Sequence, residues 1–353
     1  MLRFFRRIRQ RLLAGNRFSK YLLYAVGEIL LVVVGILIAI QVDNWNEDRK
    51  KRLELSRLLL DIEQDLLHNY QIAGATLGFY RTQDSIAKRI AKNQLTKEDY
   101  LNNPRLNYYI SNWEYYLPAE KNIDQFVESE KMAPARYKQV IGALKGIQGY
   151  SAVLDDTWSG LAENLDENTN FLTSFNWFVK NDSLSNAKRH EFFLHDAQYQ
   201  TAALRYWVYT QNYYDKISRY RAQTMAALAT VKILNEDYSA GQVGALFERL
   251  GMSAFVPFPC GVGRDQLNSL KDIRSSELYG NLTRNPLYLS LTNNKGQPVT
   301  EFSIPPNTLM TLPGTEYFGI EGDNNTLVLV KDPAGRCIGT YGAVENGFLL
   351  IAD

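Results

Sequence analysis

Glu28 is the one residue charged at neutral pH in the run Tyr21–Val42, YLLYAVGEILLVVVGILIAIQV, and that setting gives it the strongest chemical signal in the sequence. An ionisable group in hydrocarbon costs on the order of 2.5–3.5 kcal/mol on insertion scales and normally faces a partner, a cavity or an ion path. At 1.5 Å per residue it lies about 10 Å from the start of the run, inside hydrocarbon and away from the interface. Two chemistries are open to it. Its carboxyl can stay protonated, hydrogen-bonded to Tyr24 one turn back or to its counterpart in an oligomer, or it can serve partner contact or proton coupling. Gly27, Leu31, Gly35 and Ala39 recur every four residues, and Gly35-x-x-x-Ala39 is a small-xxx-small pair that lets another helix approach closely.

The remaining candidates for chemistry are thinner. HEFFLH at 190–195 places His190 and His195 at i and i+5, whereas the zinc-binding H-E-x-x-H helix needs i and i+4. Glu191 and His195 do stand at i and i+4, a spacing that could share a metal but reads better as a solvated helix face. GVG at 261–263 opens no dinucleotide fingerprint, and G-x-S-x-G, a Walker loop and the kinase signatures are missing. No enzyme, cofactor or metal is therefore expected. Cys260 and Cys337, the two cysteines, have neither C-x-x-C nor metal spacing. In an oxidising compartment they could pair; otherwise they are two buried free thiols.

What positions Glu28 is a helix. The 22 residues Tyr21–Val42 span roughly 33 Å, against a hydrocarbon core of about 30 Å. The run exceeds the apolar core of a secretory signal and ends in Gln41, Val42 and Asp43 with no small-x-small site, so it reads as an uncleaved anchor over 21–43. Residues 1–20 form a basic arm carrying Arg3, Arg6, Arg7, Arg9, Arg11, Arg17 and Lys20 and no acid. By the positive-inside rule the N-terminus is cytoplasmic, with the body on the other side. The arm suits anionic lipid, either as an amphipathic helix with Phe5, Ile8 and Leu12 on one face or as a disordered topogenic tail. Tyr21, Tyr24 and Trp45 are placed as interfacial aromatics. Beyond the arm, 32 basic residues face 38 acidic ones, a net of −6, which disfavours a nucleic-acid partner.

Residues 44–238 carry three apolar stripes at helical spacing: Leu55 to Tyr80, Ile141 to Phe175, and Tyr206 to Val231, the last dominated by tyrosine. Short helices and turns fill 94–133, with Thr96 as a cap. This predicts an elongated antiparallel bundle in which Gln148, Ser151 and Asn168 could fix helix register. If the three long helices alternate in direction, the chain leaves the bundle after Glu236 at the end far from the membrane. Residues 239–353 are dense in Gly, Pro and Asn and hold short β-type runs, among them AFVPF, PLYLSLT, EYFGI, TLVLV and GFLLIAD. Turn signals at 293–296, 322–325, 332–335 and 345–347 separate them, which predicts a small antiparallel sandwich or barrel.

RRIRQRLLAGNRFSKYLLYAVGEILLVVVGILIAIQVDNWNEDRK, specific in Gly27-Glu28, Gly35 and Asn44-Trp45-Asn46-Glu47, resembles the start of the DUF6090-type family of uncharacterised single-span proteins common in Bacteroidota. The resemblance implies a Gram-negative inner membrane and a periplasmic body, and carries no activity. The reading that follows is a membrane-anchored periplasmic scaffold, oligomeric or part of a heteromeric envelope complex, that presents its β-domain distal to the bilayer. The alternative rests on a layout similar to the single-span subunits of proton-driven motors, with Glu28 taking and releasing a proton.

Overall fold

The computed structural model describes residues 18–131, 133–178, 180, 182–261, 278–292, 298–311, 327–344 and 346–353. The arginines of the basic arm, the EYFGI run and the turns at 293–296 and 322–325 lie outside them. Chain contacts divide the protein into two units, Met1–Arg57 and Leu58–Asp353.

The apolar run and the first stripe belong to one helix, α1 (Phe18–Ala91, 74 residues). In the first unit it contains an 18-residue window apolar enough to cross a membrane, none of it buried. In the second unit the stripe is core: Leu59, Ile62, Leu66, Tyr70, Ala73, Leu77 and Tyr80 are all buried. Asn93, at φ 50°, follows the end of the helix in the left-handed region.

Thr96 then caps α2 (Lys97–Asn102) with a full capping box through Asp99. A 3₁₀ turn follows at Pro104–Ser111, then residues 112–120, which are neither helix nor strand, then α3 (Lys121–Glu128). The long helices α4 (Lys138–Thr173) and α6 (Ala197–Glu236) flank α5 (Ser183–His195). Asp182 and Asp196 accept hydrogen bonds from the first-turn amides of α5 and α6, which fixes where each helix starts.

The order of contacts gives the directions. Along α6, Trp207 meets Asp84, Tyr213 packs edge to face on Tyr80, Arg221 reaches Tyr70 and Lys232 pairs with Glu63, so α6 runs antiparallel to α1. Arg205 pairs with Glu167 and Tyr213 packs on Trp158, so α4 is antiparallel to α6 and parallel to α1. The alternation expected of the three long helices is therefore wrong. The return from the Ala91 end is made by the irregular stretch: Glu114 lies beside Tyr80, Ala119 beside Asn69 and Asn122 beside Asp65. With that extra crossing, the chain leaves α6 at the Leu58 end of the bundle, whereas strict alternation would have it leave at the Ala91 end.

A short helix, α7 (Ala240–Arg249), leads into a β-domain whose described residues form nine strands in two sheets. One sheet orders β1 (Ser253–Ala254), β9 (Gly347–Ala352), β3 (Leu278–Leu282) and β6 (Thr308–Thr311). The other orders β2 (Val256–Phe258), β8 (Cys337–Gly342), β7 (Leu327–Lys331), β4 (Leu287–Thr292) and β5 (Pro298–Ile304). The second is wholly antiparallel, but β9 pairs in parallel with both β1 and β3. The expected antiparallel β-domain is found as two sheets rich in antiparallel pairs; neither closes into a barrel, and one is mixed. Tyr279 and Leu349 from the first share a core with Leu289, Leu291, Val328 and Val330 from the second.

Strand β3 (LYGNL) escapes pattern reading because Gly280 and Asn281 are poor strand residues. Asn281 is fully buried and satisfied: its amide donates to the Asn285 and Ile304 carbonyls at 2.8 and 2.9 Å and its oxygen accepts from Thr283. The strand is set by that network rather than by alternation.

Candidate functional site

The anticipated site residues stand on a bare helix face. Glu28 is exposed, as are Leu31 and Ala39, and a Cβ added at Gly27 or Gly35 would meet no atom within 4 Å. Trp45 is exposed too. The side chains of Lys20, Tyr21 and Tyr24 lie outside the described residues, so the Tyr24–Glu28 hydrogen bond does as well. Nothing of the described chain covers the small-residue stripe, which leaves it open to a second helix.

Cys260 and Cys337 form a disulfide with their Cα atoms 6.2 Å apart. It joins the chain just after β2 to the start of β8, two strands already paired through Phe258 and Thr340. Glu191 and His195 are both exposed on α5, and no group of three metal-ligating side chains occurs among the described residues.

The tyrosine stripe does more than fill the core. Tyr199, Tyr206, Tyr213 and Tyr220 repeat every seventh residue of α6 and are buried. Their rings meet Phe193, Tyr109, Tyr80 and Tyr116 in turn. The hydroxyls of Tyr206 and Tyr213, with that of Tyr80 on α1, bond the main chain of the irregular return stretch. Tyr206 donates to the Asn112 carbonyl, Tyr213 accepts from the Tyr116 amide at 3.1 Å and Tyr80 donates to the Glu114 carbonyl at 2.8 Å. Asn69, wholly buried on α1, clamps Ala119 through both its amide and its carbonyl, at 2.7 and 2.9 Å. Main chain with no helix or strand partner needs such bonds if it is to cross a core. Asn168 and Gln148, expected to set register between long helices, bond this connection instead, at the Ile110 carbonyl and at Asp124. Glu120, where the stretch ends, accepts from Tyr220 at 3.0 Å. Burial raises its pKa above the usual carboxylate range, against the pull of hydrogen bonds from Ser151 and Tyr220.

At the Ala91 end, α2, the 3₁₀ turn, the end of α4 and α5 enclose a cleft of about 690 Å³. Its wall includes Asn107, Tyr108, Phe178, Lys180, Arg189 and His190. The Arg189 guanidinium donates to the Phe178 and Lys180 carbonyls at 2.7 and 2.8 Å and sits beside the Phe178 ring. His190 is buried against Tyr100. Burial, with the nearby charges of Lys97 and Arg189, lowers its pKa. Sequence reading weighed His190 only as a metal ligand and missed the cleft, because its walls come from four elements spread over some 90 residues of chain.

In class, then, the chain is a predominantly helical body with an exposed apolar N-terminal helix and a C-terminal pair of β-sheets. Residues 28–138 match the model of DUF6090, a family of unknown function. The match begins at Glu28 and takes in the rest of α1 and the return stretch, and stops at the start of α4. No curated protein and no solved structure matches the chain.

Proposed function

We propose that this protein is a membrane-anchored scaffold of the cell envelope, joined to a second copy or to a partner subunit through the Gly27, Leu31, Gly35 and Ala39 face of α1. The open stripe carries the reading: in lipid, close approach of helices across small residues is a main source of association, and this face has the room for it. Glu28 lies at the edge of that stripe, where a neighbouring helix would give its carboxyl a hydrogen-bond partner. The body belongs outside the cytoplasm of an inner membrane. The basic arm supports that orientation, and the disulfide fits an oxidising compartment. The β-domain stands at the Leu58 end of the bundle, so the tip of the body opposite that end offers helices and the cleft to partners.

The test is the native mass of the detergent-extracted complex and its co-purifying chains, for wild type and for Gly35→Leu. The scaffold reading expects a complex that Gly35→Leu dissociates while the body stays folded. A wild-type monomer without partners would sink it. Glu28→Gln separates scaffold from proton coupling: a variant that assembles normally but loses function only in an energised membrane favours coupling.

A further inference from the structure

We infer that the cleft at the Ala91 end of the bundle is a binding site for a small organic anion that also carries hydroxyl groups, such as a sugar acid or a sugar phosphate. Three observations converge there. The wall carries Lys180 and Arg189 and no acidic side chain, and Lys97 stands near His190, so the local field favours a negative guest. Arg189 is held by its two carbonyl contacts, which fix one edge of its guanidinium in place before any ligand arrives. Finally, three wall residues each keep a buried polar atom with no hydrogen-bond partner in the protein: Asn107 Oδ1, Arg189 Nε and His190 Nδ1.

An unpartnered buried group is destabilising, and native proteins keep few of them. Their chemistry defines the guest. Arg189 Nε is a donor and wants an anionic or hydroxyl oxygen. Asn107 Oδ1 is an acceptor and wants an O–H or N–H, which a bare phosphate or sulfate dianion lacks. His190, at 7% exposure the most enclosed of the three, offers Nδ1 as either, according to its tautomer. The rings of Tyr108 and Phe178, edge to face at 5.7 Å, supply an apolar wall for the carbon skeleton. The cleft volume falls in the range of about 300–1,000 Å³ typical of small-molecule sites.

The experiment uses the full chain in detergent and titrates gluconate, glucose 6-phosphate, inorganic phosphate and glucose, followed by calorimetry and by the imidazole NMR signals of its three histidines. Saturable binding of gluconate or glucose 6-phosphate below about 1 mM is expected, at least about tenfold tighter than phosphate or glucose. The His190 signals should shift, while those of His68 and His195 stay in place. Lys180 is exposed and Asn107 partly so, which makes Lys180→Ala and Asn107→Ala variants that should fold. The first should weaken both anions about tenfold, and the second should erase the preference over phosphate. Whichever of the two anions binds tighter identifies carboxylate or phosphate as the natural head group. The inference is overturned if neither hydroxylated anion binds, if phosphate binds as tightly, or if both variants bind like wild type.

Discussion

Arg221 should be the fastener between bundle and β-domain, and Arg221→Met is the change that exposes it. The guanidinium lies 4.0 Å over the Tyr70 ring, donates through Nε to the Tyr70 carbonyl at 3.3 Å and through Nη1 to Asn346 Oδ1 at 3.1 Å. Asn346 in turn donates to the Gly251 carbonyl, and Tyr70 donates to that of Leu250. Methionine keeps the aliphatic packing and removes the charge. The lost ring contact is worth about 1–2 kcal/mol and the charge-assisted bond to Asn346 about 1.5–3. Against these stands the relief of a buried cation, whose cost shows in the lowered pKa of Arg221. A net loss of about 2 kcal/mol follows, or roughly 4 °C for a unit of this size. Thermal unfolding of the full chain in detergent measures it, and all five tryptophans precede the β-domain, four of them in the bundle, so changes in their fluorescence report the bundle and not the β-domain. Limited proteolysis near Gly251 should accelerate. Gly74 supplies an internal check, since a Cβ there would stand 3.4 Å from Arg221 Nη2. Gly74→Ala should be near neutral in wild type but stabilise Arg221→Met by about 1 kcal/mol, the helix propensity gain with the crowding removed. Equal effects of Gly74→Ala in both backgrounds, or an unchanged melting point in Arg221→Met, would refute the reasoning.

Three further changes test other parts of the body. Asn69→Ala strips both partners from the Ala119 backbone and should cost about 2–4 kcal/mol by chemical denaturation; a loss under about 1 would mean that the clamp is incidental. Glu120 has a raised folded-state pKa, so its contribution to stability is complete below about pH 4.3 and is lost as pH rises through the raised value. Glu120→Gln should therefore melt increasingly above wild type between pH 4.5 and 7.5, in steps of about one unit, and parallel curves would contradict the assignment. Replacing Cys260 and Cys337 by serine opens a loop with a sequence separation of 77 residues. The chain-entropy estimate is about 4.5 kcal/mol, seen as earlier proteolysis of the β-domain with bundle fluorescence unchanged.

How far the chain was legible depends on what kind of interaction sets each part. The stripes of α1, α4 and α6 were readable because burial of a helix face writes a period into the sequence, and every predicted α1 position from Leu59 to Tyr80 is buried. The apolar run and Thr96 were readable for equally local reasons. The return stretch was not, because residues 112–120 form no repeating structure and are held by groups far away, Asn69, Tyr80, Tyr206 and Tyr213. The tyrosines announced a core, but only tertiary structure says which backbone their hydroxyls serve. Strand β3 failed for a similar reason, since Asn281 looks like a breaker until its four hydrogen bonds are known.

That one unread stretch decides the architecture. A helix pair joined by a short loop is antiparallel by necessity, and so three long helices read from periodicity alone must alternate. Here the connection between α1 and α4 is itself long enough to recross the bundle, and α4 starts again from the Leu58 end. It can do so only because buried side chains satisfy its amides and carbonyls, chiefly Asn69 and Tyr80 of α1 with Tyr206 and Tyr213 of α6. The same crossing assigns the two ends their work. It returns the chain to the β-domain at the Leu58 end, where Tyr70 and Arg221 receive it. It leaves the Ala91 end to α2, α5 and the tips of α1 and α4, whose short helices and turns frame a cationic cleft. A bundle of strictly alternating helices would have put the β-domain over that end. Tyr206→Phe and Tyr213→Phe together should therefore loosen the return stretch first, raising amide hydrogen exchange at residues 112–119 while α4 and α6 stay protected. Uniform loss of protection across the bundle would show instead that the tyrosines act only as core volume.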